Sequence, residues 1–205
     1  MARLSRDVII TEKIDGTNSQ VLIQPMEDQP ADGALFRANG LALWAGSRSR
    51  WLTKEEDNFG FAAWVERHGN ELLALGPGRH FGEWWGSGVQ RGYGLLNGEK
   101  RWSLFNVSRW CGHGEEPQRI QSSDPRVEKY QERCPPCCEV VPVLYRGPFT
   151  TSACDLALMQ LQHTGSHAAP GYHNPEGIVV FHVAANLGFK KTIVGDELPK
   201  NMRRK

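Results

Sequence analysis

The feature that most constrains this sequence is a short stretch near its N-terminus, Glu12–Asn18, where a lysine and an Asp-Gly pair stand between two apolar runs. Asp-Gly between apolar runs is a signal for a tight turn, so we expect residues 7–23 to form a hairpin with Lys13 at the end of its first strand. A lysine held on a rigid strand can act as a nucleophile once its amine has lost a proton. Read alone, this short pattern fits an ordinary hairpin with a surface lysine equally well.

The composition bounds the class of protein. Hydrophobic residues make up 40% and charged residues 23% of the 205 positions, which is typical of a globular protein with one core, so we expect a single domain over residues 1–205. The net charge of +1 means that any nucleic-acid surface must be a local patch. The sequence has no run of roughly 20 apolar residues and no signal peptide, so we expect a cytoplasmic protein without membrane contact. Five cysteines, two of them adjacent, do not fit a disulfide framework.

A second hairpin is predicted around Asn39-Gly40, after a polar turn near Pro30. Two arginines, Arg48 and Arg50, follow its second strand, and a guanidinium group matches phosphate oxygens bidentately. Solvated surface arginines are the ordinary alternative. We choose Arg48 as the candidate and keep Arg50 in reserve.

Two helical regions are predicted. The Thr53–Glu56 segment has the pattern of a capping box and should begin a helix or helix pair that ends at Gly76-Pro77-Gly78. A later helix should begin after Thr150 and end at about Gly165. Its apolar residues are predicted to face the core, and they are Leu156, Leu158, Met159 and Leu161.

Four further short patterns carry side chains suited to a ligand site. The stretch 82–90, GEWWGSGVQ, places Glu83 at a strand end before a glycine-rich loop, where a carboxylate could accept hydrogen bonds from ribose hydroxyls. Phe105 lies within the predicted strand 101–107, Glu176 precedes an apolar strand, and Lys190 and Lys191 lie on the last strand. Each also has a plain structural interpretation, such as a core phenylalanine or solvated lysines.

The region 111–138 leaves two interpretations open. Cys111, His113, Cys134 and Cys137 could supply four zinc ligands, although Cys-x-His is an irregular half-site. Cysteine is also a small buried hydrophobe in many proteins. We expect a loop and a short helix over residues 122–136, and a strand over Cys138–Tyr145.

Taken together, five of these patterns resemble the ordered motifs of the covalent nucleotidyltransferases, the superfamily of ATP-dependent polynucleotide ligases and mRNA capping enzymes. The KIDGTN and GEWWGSGVQ stretches are most similar to those of RNA ligases, and the five motifs span residues 12–192. The resemblance implies an α+β, ATP-grasp-like DNA/RNA ligase (nucleotidyltransferase) fold, with antiparallel sheets flanked by helices and a nucleotide cleft. It also implies a catalytic core without the OB-fold or helical C-terminal domain of larger relatives.

The resemblance assigns roles to individual residues. Lys13 would attack the α-phosphate of ATP and carry AMP. Glu83 would contact the ribose and Phe105 would stack on adenine, whereas Asn106 replaces the usual aspartate after the aromatic residue. Glu176 would help to hold Mg²⁺ or Mn²⁺. The remaining cofactor-binding candidates are Glu12, Ile14, Lys190 and Lys191, together with Asn18 and Arg48, which would handle the RNA end or the departing phosphates. The two lysines depart from the family's K-x-K spacing, so we expect only one of them to face the phosphates, with a slight preference for Lys190.

The implied function is an ATP-dependent RNA ligase that joins 5′-phosphate and 3′-hydroxyl ends through a lysyl-AMP intermediate. We expect RNA ends or a nicked duplex as partners, a monomer, and a separate protein that could supply a missing C-terminal function. A DNA ligase core, a capping-type enzyme and a non-sealing module that binds nucleotide or RNA ends stay as alternatives. The basic tail 197–205 could face RNA, although a solvated tail is the simpler interpretation.

Overall fold

The structure, a computed structural model, describes residues 6–27, 32–120 and 126–196. The polar turn at Pro30, the start of the predicted loop and helix over residues 122–136, and the basic tail 197–205 lie outside the described residues. The chain divides into two compact units, residues 1–15 with 141–205, and residues 16–140. The single domain expected from length stays a prediction.

Within the described residues, fifteen strands and three α-helices form these units. The strands are β1 (Asp7–Lys13), β2 (Thr17–Pro25), β3 (Phe36–Ala38), β4 (Leu41–Ser47), β5 (Trp51–Leu52), β6 (Gly78–Gly86), β7 (Lys100–Leu104), β8 (Trp110–Cys111), β9 (Arg119–Ile120), β10 (Lys129–Tyr130), β11 (Glu132–Arg133), β12 (Glu139–Val140), β13 (Val143–Pro148), β14 (Gly177–His182) and β15 (Leu187–Thr192). The helices are α1 (Phe61–Arg67), α2 (Gly69–Leu72) and α3 (Thr151–Thr164), and single 3₁₀ turns cover Leu73–Leu75, Gly92–Gly94 and Val183–Ala185.

The unit that contains Lys13 is built on a four-stranded antiparallel sheet in the order β13-β1-β14-β15, with α3 packed on one face. Residues that lie directly opposite each other in antiparallel strands point to the same face. The α3 face therefore carries the even-numbered residues of β1, and Thr11 and Lys13 point to the other face. The buried core under α3 consists of Val8, Ile10, Cys154, Ala157, Leu161, Ile178 and Val180.

Helix α3 begins and ends where the sequence predicts. The Thr150 hydroxyl accepts a hydrogen bond from the Ala153 amide at 3.0 Å, and Gly165 ends the helix. The predicted core face is partly wrong, because Leu156 and Met159 are 64% and 62% exposed. The helix instead buries smaller residues, Cys154 and Ala157, together with Leu161, which lets its axis approach the sheet closely.

The other unit is organised around a seven-stranded sheet. Its strand order is β12-β7-β6-β2-β4-β3, with β5 paired to β4, and all pairs are antiparallel except β12 with β7. One face packs on α1, α2 and the following 3₁₀ turn through Val21, Ile23 and Trp84. The alternate residues Asn18 and Glu83 point to the opposite face.

The predicted hairpin around Lys13 is wrong. β1 pairs with β13 and β14, whereas β2 pairs with β4 and β6, so the two strands that flank Asp15-Gly16 belong to different sheets. Gly16 does not have the positive φ of a primed turn. It is required for a different reason, since a Cβ there would collide with the main-chain oxygen of Trp84. The second hairpin is confirmed, with φ values of 53° at Asn39 and 73° at Gly40.

Three other local predictions are corrected. Thr53 accepts a hydrogen bond from the Glu56 amide at 3.1 Å, but this is only a turn. The helix begins at Phe61, and the Asp57 carboxylate accepts hydrogen bonds from two of its first-turn amides at 2.7 and 3.1 Å. Over residues 126–136 the structure has strands β10 and β11 in place of a helix, and Cys138–Tyr145 is split between β12 and β13.

Candidate active site

Lys13 is the last residue of β1, and its amine contacts the carboxylate of Glu176. The register pairs Lys13 with Gly177, so Glu176 enters its strand directly beside the lysine. The two charged side chains are only 16% and 13% exposed, which strengthens their attraction relative to a surface pair. Gly177 has a φ of +155°, and a Cβ there would collide with the main-chain oxygen of Lys191. The strand entry that brings Glu176 to Lys13 therefore requires glycine.

The two adjacent lysines of β15 point to opposite faces of their sheet. Lys191 lies opposite Ile178, a core residue under α3, and its amine donates to the Asp155 carboxylate of α3 at 2.8 Å. This ion pair is partly exposed and therefore weak. The Lys191 side chain therefore points to the α3 face, where Asp155 holds its amine.

Lys190 lies on the same face of the sheet as Lys13. It is opposite Val179, which is in turn opposite Thr11, and Thr11 is two residues before Lys13 on β1. Lys13 and Lys190 lie on either side of β14, so their side chains project from one face of this sheet without being direct neighbours. The geometry therefore agrees with the preference for Lys190, although its role in binding stays a prediction.

Glu12 points away from Lys13 and is buried, with an exposure of 1%. Its carboxylate accepts hydrogen bonds from the Ser166 hydroxyl at 2.6 Å and from the main-chain amides of His167 and Ala168 at 2.8 and 3.0 Å. These donors belong to the loop that follows α3. Ile14 is also buried, at 4% exposure. Any ligand contact of these two residues would therefore be made by the main chain.

In the other unit, Glu83 lies on β6 between two neighbouring strands. Its carboxylate accepts a hydrogen bond from the Gly16 amide at 3.1 Å. Asn18 on β2 and Ser103 on β7 lie directly opposite Glu83, so three polar side chains form one row across the sheet. This row is on the face opposite α1 and α2; within it Ser103 is fully buried and accepts a hydrogen bond from the Trp85 indole at 2.9 Å, whereas Glu83 is half-buried.

Phe105 immediately follows β7 and is 37% exposed, so it is not a core phenylalanine. Its amide donates to the main-chain oxygen of Phe81 at 3.0 Å, which continues the pairing of β6 with β7. The Asn106 side chain accepts from the Arg109 amide at 3.1 Å and caps a turn. Asn106 therefore has a structural use that needs no negative charge.

The structure separates the two candidate arginines. Arg50 donates to the main-chain oxygens of Glu56 and Asp57 at 2.7 and 3.3 Å and so braces the loop before α1. Arg48 is exposed in the turn between β4 and β5, and it forms no ion pair with any residue in the described ranges. Arg48 is the one that could bind a phosphate without breaking a structural contact.

The predicted set of four zinc ligands is not assembled as a group. The Cys134 Sγ and the His113 Nε2 are 3.8 Å apart, and burial raises the pKa of the metal-free Cys134 thiol to about 12. The ligand atoms of Cys137, His68 and Glu71 instead lie within 4.8 Å of one another. That nitrogen, oxygen and sulfur trio could hold a zinc-sized ion.

Sequence reasoning missed three features of these sites. It did not find the contact between Lys13 and Glu176, which are 163 positions apart, or the trio of His68, Glu71 and Cys137, which comes from two separate segments. It also missed the exposed Phe81 beside Phe105. The alternation of residues along β6, which places Phe81 on the same face as Glu83, is the one sequence signal that could have indicated the exposed Phe81.

Comparisons with known proteins assign the class. The α+β architecture with mostly antiparallel sheets is that of the RNA ligase nucleotidyltransferase fold, as the sequence motifs imply. The family model for RNA ligase matches residues 6–193, and the chain therefore belongs to the RNA ligase family. A search of curated proteins gives no match.

The solved structures that resemble the chain include variants of a Naegleria gruberi RNA ligase. One variant with ATP and manganese has 16% identity and a TM-score of 0.53, and the match covers 93% of this chain and 51% of that one. Another with ATP and manganese has a TM-score of 0.54 at 16% identity, with the same coverage. A third, with AMP and manganese, has a TM-score of 0.53 at 17% identity over 92% of this chain and 50% of that one. The chain thus spans about half the length of these ligases, and at this identity the likeness shows the fold.

Among the described residues, no helix is both long enough and apolar enough to cross a membrane.

Proposed function

We propose that this protein is an ATP-dependent RNA ligase that joins RNA 5′-phosphate and 3′-hydroxyl ends through a lysyl-AMP intermediate on Lys13. The observation that carries the proposal is the position of Lys13 at the end of β1, in contact with Glu176 and on the same sheet face as Lys190. Membership of the RNA ligase family over residues 6–193 supports the choice of substrate class.

In the first step, the Lys13 amine attacks the α-phosphorus of ATP. A P–N bond forms, the bond between the α-phosphorus and the bridging oxygen breaks, and pyrophosphate leaves with the electron pair. The lysine ammonium must first release a proton, and the Glu176 carboxylate is the adjacent group that contacts it. Lys190, on the same face, is suited to neutralise the charge that develops on the phosphate oxygens.

A divalent cation fits the donor set at this position. Glu176 provides a carboxylate oxygen, and Mg²⁺ or Mn²⁺ can complete its coordination with waters and phosphate oxygens. The structural relatives contain manganese together with ATP or AMP. When bound, the cation would neutralise phosphate charge and orient the leaving group. The protein's own part is to hold the Glu176 carboxylate beside the lysine through the glycine at position 177.

Glu83 and Phe105 are proposed to contact the nucleoside, as the family resemblance implies. Glu83 offers a carboxylate acceptor to ribose hydroxyls, the exposed ring of Phe105 is suited to stack on adenine, and Asn18, opposite Glu83, is proposed to handle the RNA end or the departing phosphates. Glu12 and Ile14 would contribute main-chain groups only, because their side chains are buried.

In the two later steps, AMP passes from Lys13 to the 5′-phosphate of an RNA end, and a 3′-hydroxyl then attacks that phosphorus and releases AMP. These transfers depend on in-line positioning of the two ends. Arg48, which is exposed and forms no ion pair within residues 6–27, 32–120 and 126–196, is proposed to bind an end phosphate. A cytoplasmic location, a monomeric state and a separate partner protein stay predictions.

The test is to incubate the purified protein with ATP and magnesium and to measure its intact mass. We expect a gain of one AMP that is absent in Lys13→Ala, retained in the surface-lysine control Lys129→Ala, and not matched with GTP. Labelled RNA and DNA ends are then compared for sealing.

The outcomes are distinct. A gain of mass that survives Lys13→Ala would remove Lys13 as the nucleophile. Labelling by GTP would favour a capping-type enzyme. The absence of any gain, in a folded protein that was not already adenylated, would favour a non-sealing module that binds RNA ends.

A further inference from the structure

A group of side chains that no step above uses lies on the seven-stranded sheet, on the face that carries Glu83. Gly46 on β4 is directly opposite both Trp51 on β5 and Gln20 on β2, and Gln20 is directly opposite Phe81 on β6. All of these residues therefore point to one side, in a row that crosses four strands. We call Trp51, Gln20, Phe81 and the neighbouring Arg79 the stacking face.

The two aromatic rings of this face are well exposed. Trp51 and Phe81 are each 45% exposed, although both lie on strands with buried neighbours. Trp51 lies against Gly46, where a Cβ would come within 3.1 Å of the indole ring, so the glycine allows the ring to lie low over the sheet. Exposed aromatic side chains grouped on one face are typical of a binding surface.

Gln20 lies between the two rings and is not fully satisfied. Its amide nitrogen donates to the Ser47 main-chain oxygen at 2.8 Å, but its side-chain oxygen is buried and has no hydrogen-bond partner among the described residues. An unsatisfied buried acceptor costs about 1–3 kcal/mol in the free protein. Gln20 therefore lowers the stability of the free protein, which indicates that the stacking face has a use other than folding.

The charge of the stacking face is positive. The Arg79 guanidinium lies 5.3 Å from the centre of the Trp51 ring, and Arg79 forms no ion pair within the part of the chain that the structure describes. Arg48, also exposed, is three residues before Trp51 in the turn that leads into β5. Aromatic rings with adjacent arginines are the combination that binds single-stranded nucleic acid, because rings stack on bases and guanidinium groups bind phosphates.

We infer that the stacking face binds unpaired nucleotides next to an RNA end, with bases stacked on Trp51 and Phe81 and a phosphate on Arg79. Bases within a duplex cannot present their faces to these rings, so single-stranded RNA is the favoured form. The inference rests on the proposed function for the identity of the nucleic acid. It extends that function by naming which form of RNA the site takes.

The position of the face within its own unit agrees with this role. Phe81 lies two residues before Glu83 on β6, and its main-chain oxygen accepts from the Phe105 amide. Nucleotides stacked on Phe81 would therefore lie next to the two residues of this unit that are proposed to hold the adenosine.

The experiment compares binding of a single-stranded RNA of about ten nucleotides with binding of a nicked RNA duplex, by fluorescence anisotropy. We expect Trp51→Ala and Phe81→Ala each to weaken binding of the single strand by roughly 5- to 100-fold. Trp51→Phe should restore most of the loss, and Arg79→Ala should reduce the dependence of binding on salt by about one phosphate contact. The matched control is Tyr130→Ala, which removes another exposed aromatic residue of this unit.

Formation of lysyl-AMP is measured on the same variants. It should be unchanged in Trp51→Ala and Phe81→Ala, since neither residue is placed at the adenylation site. If the wild-type protein is not adenylated by ATP, the proposed function fails, but the binding comparison still decides the role of the face. Wild-type affinity for the single strand in both alanine variants would overturn the inference. An equal loss of single-strand affinity in Tyr130→Ala would also overturn it, and so would a result in which Trp51→Ala and Phe81→Ala weaken binding of the nicked duplex but not of the single strand.

Discussion

Replacement of Glu12 tests whether this residue supports a loop or contacts a ligand. Its carboxylate accepts three hydrogen bonds, one from the Ser166 hydroxyl and two from the amides of His167 and Ala168. A hydrogen bond to a charged group is worth about 1.5–3 kcal/mol, and bonds that share one anion are not additive. We therefore expect Glu12→Ala to lower the free energy of unfolding by roughly 3 kcal/mol, since it leaves three donors without an acceptor.

Glu12→Gln should cost less, about 1–2 kcal/mol. The glutamine oxygen can accept from both main-chain amides, and its amide group can donate to the Ser166 hydroxyl, which already accepts from the Ala169 amide at 3.0 Å. Glu12→Gln therefore loses only the negative charge and the hydrogen bond that the Ser166 hydroxyl donates to Glu12.

The assay is urea unfolding followed by circular dichroism, with adenylation by ATP measured in parallel. Asp7→Ala is the control, because it removes an exposed acidic residue from the same strand. A free energy of unfolding for Glu12→Ala within about 0.5 kcal/mol of the wild type would refute the supporting role. A Glu12→Gln variant of unchanged stability that no longer reacts with ATP would assign the carboxylate to the ligand.

Three more perturbations test other contacts. Gly16→Ala should lower stability by about 1–3 kcal/mol in thermal unfolding because its Cβ would collide with backbone, whereas Gly114→Ala, which has open space, should not; equal effects would contradict this. Burial lowers the pKa of His80, so the unfolded chain binds more protons and the free energy of unfolding should fall as the pH drops below about 6.5. Urea unfolding between pH 7 and 5 should show a shallower fall in His80→Gln, and an identical slope would exclude this contribution. Lys190→Met should slow lysyl-AMP formation by about a hundredfold, whereas Lys191→Met should have a small effect, and the reverse order would reassign the phosphate-facing lysine.

The family can be identified from the sequence because its motifs are local. Lys13, Glu83, Phe105 and Glu176 each occur in a short pattern with strand-forming neighbours, and the order of the patterns is readable without any knowledge of strand pairing. The helix cap at Thr150 is predictable for the same reason, because the hydroxyl and the amide it caps are three residues apart.

The failures concern partners that are distant in sequence. Asp15-Gly16 has the composition of a hairpin turn, but long-range pairing of β1 with β14 overrides that local preference. In the same way, the choice between Lys190 and Lys191 depends on strand register. The apolar pattern of α3 shows which residues share a face of the helix, but it does not show which face packs against the sheet. The pattern therefore predicts that Met159 lies in the core, although it is exposed.

The pairing of β1 has a consequence for the order in which a nascent chain can fold. Residues 16–140 form a contiguous compact unit, so all of its strands are available once residue 140 has been synthesised. The strand that carries Lys13 is made first, yet both of its neighbours in the sheet, β13 and β14, are made more than a hundred residues later. Lys13 and Glu176 therefore meet only after residue 176 has been made, so a truncated product that ends before it would contain Lys13 without the carboxylate that contacts it.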